Sequence, residues 1–535
     1  MHLQISLRHL GAELADNFDA IFIGAGHNAL AGALHLATKG WRVGLFEQAP
    51  EPGGAIKSGA YTLPGFQHDW AAMNLSLFAG SGFFKDYSAE LIRHGLEFVP
   101  ISAPFASAFP DGRWLGVTTD LGQTSARIAA FSAQDAATWE RLCADFPTQA
   151  RDIFGLLNSP MKLRALAYFV FKILRARGIA GTFDFARFLL TSPRQWLTTT
   201  FESPQLHAML GAWGMHLDFA PEIAGGALFP YLEAMAGQAY GMVIGKGGAA
   251  TVVSALVNAI GARGGGIECN ARVSKILHAA DKATGIELAD GRRFTAGKAV
   301  IAGIAPAQLS RLTGAITPAF DDVLQRFDHA PGTMMIHLAL DSALEWAAGN
   351  ELKSFAYVQL APSLDQMART YQQARAGLLP DEPVLVVGQP SAHDKSRAPE
   401  GKHTLWLQVR MVPGVIKGDA RGEIAVTDWT QAAGPFAARV IEILEGYAPG
   451  TKAKILGQRI VTPAELEQEN PNLIGGDQLC GSHHLSQHFV FRPAYGHADG
   501  STPIHNLFLT GAAVWPGAGT GAGSGYHLAR KLAGN

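Results

Sequence analysis

Residues Asp19–Gly54 read DAIFIGAGHNALAGALHLATKGWRVGLFEQAPEPGG, and this stretch decides the fold. The apolar run Ala20–Ile23 predicts a buried parallel strand, and the turn G-x-G-x-x-A follows it at Gly24–Ala29. A helical pattern covers Leu30–Lys39, and a second strand is predicted over Arg42–Phe46. A strand, a glycine turn, a helix and a strand in this register predict a βαβ unit that binds a dinucleotide.

Each small residue of the turn has a separate physical role. Gly24 permits the tight turn, Gly26 lets the backbone approach a pyrophosphate, and Ala29 keeps the helix close to the strand. The helix N-terminus presents free N–H groups and a partial positive charge to the phosphates. Glu47 stands 21 residues after Gly26, where its carboxylate can accept hydrogen bonds from the adenosine ribose.

A second glycine pair, in Pro52-Gly53-Gly54-Ala55, follows the ribose acid and suits FAD, whose longer body needs another close backbone approach. With GAGHN at Gly24–Asn28, the chain resembles the phytoene desaturase-like flavoproteins of the wider amine oxidase group. It looks like the branch that holds bacterial phytoene dehydrogenase-like proteins and the animal pyridine nucleotide-disulphide oxidoreductase domain-containing protein. The resemblance is clear at both ends and in the central segment, is loose elsewhere, and implies one FAD per chain.

The stretch Leu63–Trp70 contains P-G-F-x-x-D, which in the resembling family leads the backbone past the flavin. Residues Trp70–Asn74 are then expected near the isoalloxazine ring. The alternative is a turn followed by a buried strand without cofactor contact.

The C-terminal region carries the second strong signal. Leu507–Gly511 predicts a strand, and a glycine-rich loop over 515–523 leads into a helix over 524–532. This arrangement is similar to the family's closing motif, where helix N–H groups near the flavin stabilise negative charge on the reduced ring. Two residues depart from the family: Ala512 stands where many flavoproteins have an acid, and Trp515 stands where a histidine is frequent.

Together the motifs and the resemblance imply an α/β fold, with a Rossmann-like FAD-binding domain and a discontinuous α+β substrate domain. The FAD-binding domain is predicted over 1–75, 235–305 and 480–535, and the substrate domain over 76–234 and 306–479. The implied cofactor contacts are Gly24, Gly26, His27, Asn28, Ala29, Glu47, Gln48, Gly53, Gly54, Ala55, Ala72, Met73, Val273, Gly303, Gly511, Ala512, Gly517, Thr520, Gly521 and Ala522.

Composition excludes several classes of protein. The 535 residues are 48% hydrophobic and 16% charged, as in a globular protein, and the net charge of −2 offers no general attraction to nucleic acid. Three widely separated cysteines and histidines without H-E-x-x-H spacing predict neither a disulphide framework nor a metal site. We interpret residues 1–18 as an extension rather than a signal peptide, and no apolar run reaches 18 residues, so a cytoplasmic protein is expected.

The segment Met161–Arg177 mixes basic side chains with a high apolar content. It can lie at a membrane interface with its basic groups toward lipid phosphates, which would make the protein peripheral to a membrane. It can equally be a core helix with a solvated basic edge, or a contact in a homo-oligomer.

Three functions stay open. The first is a flavin-dependent desaturase or dehydrogenase that moves a hydride from a small apolar substrate, such as a polyene, isoprenoid or alicyclic compound, to flavin N5. The second is an isomerase or saturase, or an amine oxidase, with Trp70 and Trp515 as the aromatic pair; the third is a protein that FAD stabilises and that acts through partners. The run Gly245–Gly248 lacks a preceding apolar strand, so oxygen or a quinone is the expected electron acceptor rather than nicotinamide. Candidates for proton removal or a place beside the ring are Asp69, His68, His216, His483, His484 and Trp515, and none has a spacing that compels the role.

Overall fold

The computed structural model describes residues 16–534, so the interpretation of residues 1–18 falls almost wholly outside the described part. The strands of that part are β1 Asn17–Ile23, β2 Val43–Phe46, β3 Ser58–Gly59, β4 His68–Asp69, β5 Phe98–Ile101, β6 Phe105–Ala108, β7 Trp114–Val117, β8 Met242–Gly245, β9 Gly266–Glu268, β10 Val273–Ala279, β11 Lys282–Leu288, β12 Arg293–Ala302, β13 Gly332–Leu340, β14 Tyr357–Leu360, β15 Leu378–Leu379, β16 Val384–Gly388, β17 His403–Val412, β18 Gly418–Asp419, β19 Ile455–Val461 and β20 Leu507–Leu509. The α-helices are α1 His27–Thr38, α2 Ser76–Ala79, α3 Gly82–Arg93, α4 Leu121–Ala129, α5 Ala133–Leu157, α6 Leu163–Leu190, α7 Pro193–Thr200, α8 Pro204–Met215, α9 Leu228–Tyr240, α10 Ala250–Gly261, α11 Leu309–Thr313, α12 Pro318–Gln325, α13 Leu364–Arg375, α14 Pro390–His393, α15 Trp429–Tyr447, α16 Thr451–Lys454, α17 Pro463–Glu469 and α18 Gly523–Ala533.

The first sheet contains the predicted βαβ unit. Its strand order is β10-β11-β12-β1-β2-β9, with β20 beside the C-terminal half of β12. Strand β1 runs parallel to both β12 and β2, and β9 and β20 extend the parallel part on either side. Helices α1, α10 and α18 pack on one face in a hydrophobic cluster with Ala20, Phe22 and Leu45, and residues 20–23 of β1 and all of β2 are buried and apolar. The carboxyl ends of β1 and β2 lead directly into the glycine turn and Glu47.

The second sheet has the order β19-β13-β17-β16-β14-β6-β7 and is antiparallel except between β14 and β6. This is the mixed sheet predicted for the region after residue 306. Side chains alternate across β17: Leu407 and Val409 pack toward α15, whereas Gln408 and Arg410 face a large cavity. Strands β6 and β7 come from the segment over 76–234, which reads as helical in sequence. The domain boundaries given above stay a prediction.

Helix α6 differs from every other long helix in its exposure. Only Ile173 and Phe185 are buried along its 28 residues, and it is kinked at Gly178, where φ is +69°. The structure therefore does not support the core-helix interpretation of residues 161–177. No helix among residues 16–534 is both long enough and apolar enough to cross a membrane.

Candidate active site

A cavity of about 1980 Å³ lies between the two sheets and extends into the helical layer formed by α5, α8 and α9. Typical sites for a drug-sized ligand measure roughly 300–1,000 Å³. The cavity therefore has room for a dinucleotide and a substrate together. One end is built from the first sheet and its glycine turns, and the other end from the second sheet and the helices.

The glycine turn after β1 forms a cradle at the first end. Gly24 has φ +88°, a conformation that a side chain disfavours. A Cβ added at Gly26 would meet no atom of the described residues within 4 Å, so the backbone there faces open cavity. No described side chain caps the N-terminus of α1, which leaves its first N–H groups available to a phosphate.

Glu47 holds two backbone segments of the cradle in place through hydrogen bonds. Its carboxylate accepts hydrogen bonds from the backbone N–H of Ala25 at 2.8 Å and of Ala49 at 2.9 Å. A carboxylate has about four acceptor positions. The two remaining positions on Glu47 can accept hydrogen bonds from the ribose hydroxyls, the role predicted from its spacing to Gly26.

We expect Glu47→Ala to weaken FAD binding by about tenfold or more, since charged hydrogen bonds contribute roughly 1.5–3 kcal/mol. Fluorescence titration of the deflavinated protein with FAD measures this. Glu47→Gln keeps one acceptor oxygen and should give an intermediate affinity. Unchanged affinity in Glu47→Ala would show that the ribose lies elsewhere.

The C-terminal loop closes the cradle from the opposite side. Gly511 has φ +109°, and an added Cβ there would also meet no described atom within 4 Å. The Ser524 hydroxyl accepts the Gly511 N–H at 2.9 Å and donates to Asn28 Oδ1 at 3.0 Å. This bridge joins the loop to the first turn of α1. Two open glycine backbones and an uncapped helix N-terminus fit an anionic dinucleotide.

Most of the predicted contacts lie on the cavity wall. They are Gly24, Gly26, His27, Asn28, Ala29, Glu47, Gln48, Gly54, Ala55, Ala72, Val273, Gly303, Gly511, Ala512, Gly517, Thr520 and Gly521. Three others lie behind the wall. Gly53 donates its N–H to Ala25 O, Met73 is buried with its sulfur against Gly388, and Ala522 is the N-cap of α18 with φ +57°.

The structure corrects the interpretation of Asp69 as a candidate base. Asp69 is fully buried outside the cavity wall and pairs with Arg397 at 3.0 Å. It also accepts hydrogen bonds from Ser58 Oγ and from the N–H of Ala249, each at 2.6 Å. A carboxylate held by these donors has no access to a substrate. Its neighbour His68 is buried beside it, and burial lowers the pKa of His68 to about 3.

His484 and Trp515 also lie away from the cavity wall. His484 Nε2 contacts the backbone oxygen of Asp218 at 2.7 Å. Trp515 donates its indole N–H to Ser159 O at 3.1 Å and packs against Phe489. The expectation that Trp515 bounds the substrate pocket is therefore not supported, because its ring anchors the loop before α6. Trp70 is buried against Tyr61 and, like Trp515, does not line the cavity, so the proposed aromatic pair is not supported.

The glycine run Gly245–Gly248 follows a strand, β8, so the sequence-based statement that no apolar strand precedes it is wrong. The strand pairs with β5 in a separate two-stranded sheet. The N–H of Gly247 donates to Asp394 at 2.7 Å, and the N–H of Ala249 donates to Asp69. The protein's own carboxylates thus occupy the donors that a second dinucleotide would use.

Glu233 and Arg410 are two of the charged residues on the wall that were not predicted from the sequence. Glu233 is the single acid of the apolar helix α9, and Arg410 is the single charge near the end of the apolar strand β17. A lone charge within an apolar element is a signal that could have found both. Desolvation raises the pKa of Glu233 to about 7. Of the histidine candidates, His216 and His483 do line the cavity, and burial lowers the pKa of each well below 6.5.

Comparison with known proteins identifies the protein family to which the chain belongs. The family model described as flavin containing amine oxidoreductase matches residues 30–414. The chain belongs to this family. As a flavin containing amine oxidoreductase family member it is an FAD-dependent oxidoreductase, and the cofactor predicted from the glycine motifs is confirmed as FAD.

Two curated relatives span nearly the whole chain. The rat protein pyridine nucleotide-disulfide oxidoreductase domain-containing protein 2 is 26% identical over 96% of this chain and 93% of its own length. The neurosporene-forming phytoene desaturase of Cereibacter sphaeroides is 24% identical over 94% of this chain and 91% of its own. The structure of cyclohexylamine oxidase from Brevibacterium oxydans superposes with a TM-score of 0.56 at 16% identity, covering 96% of this chain and 98% of that one. The predicted fold class and the suspected branch are confirmed.

Proposed function

We propose that the protein is an FAD-dependent dehydrogenase or desaturase that removes hydrogen from a C–H bond in an apolar part of its substrate. The observation that carries this proposal is the far end of the cavity, which is continuous with the FAD cradle and walled mainly by apolar side chains. These include Phe105, Phe154, Leu157, Trp213, Leu217, Phe229, Leu232 and Ala236. Such walls bind a hydrocarbon body by removing it from water and exclude water from the reacting carbon. The phytoene desaturase relatives support the same assignment.

Bound FAD supplies a two-electron acceptor at flavin N5. The chain must then hold the substrate against it and take up a proton when a double bond forms. Glu233 is a cavity-lining carboxyl group, and its pKa is raised to about 7 by desolvation. Near neutral pH a substantial fraction of this group is ionised and can accept a proton. We propose Glu233 as the proton acceptor.

If Glu233 accepts the proton, substrate-driven flavin reduction should rise with pH through about 7, because the carboxylate is the active form and its fraction grows above the pKa. Glu233→Gln should lower the reduction rate by roughly 10²–10⁴-fold and remove this pH dependence. Stopped-flow absorbance of the flavin between pH 5.5 and 8.5 measures both. A full pH response in the Gln variant would assign the titration to another group.

Anaerobic bleaching of the holoprotein tests the proposed function. A panel of polyenes, isoprenoids and alicyclic compounds is added without oxygen, with primary amines of matched size as the comparison set. Bleaching with a new C=C bond in the recovered compound is the expected result. Product formed without net consumption of an acceptor would favour the isomerase. Bleaching by amines alone would favour the amine oxidase. No bleaching by either set would favour the protein that acts through partners. After bleaching, added oxygen and a soluble quinone identify which one accepts the electrons.

We further propose that helix α6 contacts an anionic membrane surface from which an apolar substrate enters. The helix exposes large apolar side chains, among them Leu163, Ile179 and Phe183, which are 71%, 70% and 72% exposed. Exposed basic side chains, Lys172 and Arg175, lie on the same helix. Apolar and basic groups together suit the boundary of an anionic bilayer.

Vesicles containing phosphatidylserine should therefore co-sediment the holoprotein at low salt, and added salt should weaken the binding. The double change Ile179→Ser and Phe183→Ser should weaken it severalfold, since each apolar side chain contributes by its burial. Val415→Ser removes an equally exposed apolar side chain, 74% exposed, elsewhere on the surface and serves as the control. Equal sedimentation of both variants, or concentration-dependent dimers without vesicles, would favour the oligomer contact.

A further inference from the structure

A polar network stands at the substrate end of the cavity, among side chains that are mainly apolar. Arg410 lies on β17 and is 8% exposed. Its Nη2 donates to His216 Nδ1 at 3.0 Å, and its Nε donates to Gln408 Oε1 at 2.9 Å. Gln408 in turn donates through Nε2 to Gln478 Oε1 at 2.7 Å. All four side chains line the cavity, and they come from β17, the end of α8 and the loop before β20.

The direction of these hydrogen bonds fixes what the network offers to a ligand. Arginine can only donate, so His216 Nδ1 must be the unprotonated nitrogen and Nε2 carries the hydrogen. The Gln408 and Gln478 oxygens are taken as acceptors, which leaves Gln478 Nε2 as a donor. Both His216 Nε2 and Gln478 Nε2 are buried without a partner among residues 16–534, as is the indole N–H of the neighbouring Trp213. The three unpartnered nitrogens of the network are therefore all hydrogen-bond donors.

The positive charge of Arg410 also lacks a counter-ion. No carboxylate of the described residues lies within ion-pair distance of its guanidinium. Asp477 is the acid that most affects it, but that carboxylate accepts the backbone N–H groups of Leu479 and Gly481 instead. Burial lowers the pKa of Arg410 only to about 10, so it stays charged at neutral pH. A buried charge surrounded by unpaired donors is costly unless an anion completes it.

We infer that Arg410, His216, Gln478 and Trp213 form a subsite for a carboxylate, so that the substrate is an apolar body with one carboxylate end. The planar fork of arginine matches a carboxylate, and the single positive charge matches a monoanion rather than a doubly charged phosphate. The inference rests on the proposed function, because it concerns the substrate of the same cavity. The proposed substrate is then a polyene, isoprenoid or alicyclic compound that carries a carboxylate, rather than a plain hydrocarbon.

Binding of decanoate and of 1-decanol to the FAD-loaded protein tests the subsite. The two probes share one alkyl chain and differ in charge, and the flavin absorbance or titration calorimetry reports binding. We expect decanoate to bind at least about tenfold more tightly than 1-decanol. Arg410→Met should abolish that difference while 1-decanol binding and FAD content stay unchanged. Trp213→Phe removes one donor, the indole N–H, which has no partner among residues 16–534. This change should weaken decanoate binding severalfold.

Arg326→Met removes the same charge from an exposed position, 78% exposed, and should leave both probes unaffected. Equal affinity for the two probes in the unaltered protein overturns the inference. Loss of FAD from Arg410→Met also overturns it, because Arg410 would then serve the cofactor. If Trp213→Phe and Arg410→Met both leave decanoate binding intact while apolar compounds bleach the flavin, the subsite fails and the proposed function stands. If Arg410 governs decanoate binding but neither the panel above nor the carboxylic acids of the same apolar classes bleach the flavin, the subsite stands and the proposed function fails.

Discussion

Replacing Arg397 by methionine should lower the free energy of unfolding by about 3–5 kcal/mol, because the change removes one partner of a buried ion pair. Arg397 is fully buried and donates to Asp69 at 3.0 Å, to Asp394 at 3.1 Å and to Gly245 O at 2.8 Å. Methionine fills the volume but leaves two buried carboxylates without their cation. The cluster joins β4, the turn before α10 and the segment after α14, so FAD retention should fall with stability.

Urea unfolding followed by tryptophan fluorescence measures the loss. Arg326→Met is the matched control, since its ion pair with Asp322 is exposed and contributes about 0.5 kcal/mol or less. The double change Arg397→Met and Asp69→Asn should recover part of the stability, because it neutralises one of the carboxylates that the first change leaves unpaired. A loss below about 1 kcal/mol in Arg397→Met would contradict a structural role for the cluster.

Substituting alanine for Gly525 should destabilise the protein by about 3 kcal/mol or more and release FAD. Helices α1 and α18 cross at this glycine, where an added Cβ would stand 1.8 Å from the backbone oxygen of Asn28. Gly32 of α1 is also restricted, though less, with its Cβ position 2.9 Å from Gly525 O. Neither neighbour is a movable side-chain end, so the helices must separate. The separation would displace the first turn of α1, which faces the phosphates.

Gly446→Ala is the control for this change. Gly446 also lies in a helix, α15, but an added Cβ would meet no described atom within 4 Å. There alanine should stabilise the protein by about 0.5–1 kcal/mol, because it reduces the backbone entropy of the unfolded chain. Thermal unfolding with simultaneous flavin fluorescence measures stability and FAD release for both variants. Unchanged melting and FAD content in Gly525→Ala would mean that the two helices lie farther apart.

The cradle was predictable because its residues are close together in sequence. Gly24, Gly26 and Glu47 belong to one βαβ unit, and the physical need for each is local to a turn or strand end. The closing loop at Gly511 was predictable for the same reason, as a strand that ends in glycines before a helix. The mixed sheet could be predicted from closely spaced apolar strands, although the helix α13 between β14 and β16 was not predicted.

The substrate end could not be predicted in the same way. Only the tertiary fold brings His216, Arg410 and Gln478 together, so no local sequence spacing predicts their hydrogen bonds. The prediction of Asp69 as a candidate base is not supported because its partner Arg397 lies 328 residues later in the chain, and nothing near Asp69 in sequence indicates that pair. The pocket role predicted for Trp515 is not supported for the same reason, since its partner Ser159 belongs to the distant loop before α6.

Identification of the bound flavin tests the central claim most directly. The protein is purified, its visible spectrum is recorded, and the compound released on denaturation is identified by mass spectrometry. The cradle of Gly26, Glu47 and Gly511 predicts a yellow protein that releases FAD in a ratio approaching one per chain. Colourless protein that cannot be reconstituted with FAD would contradict the account.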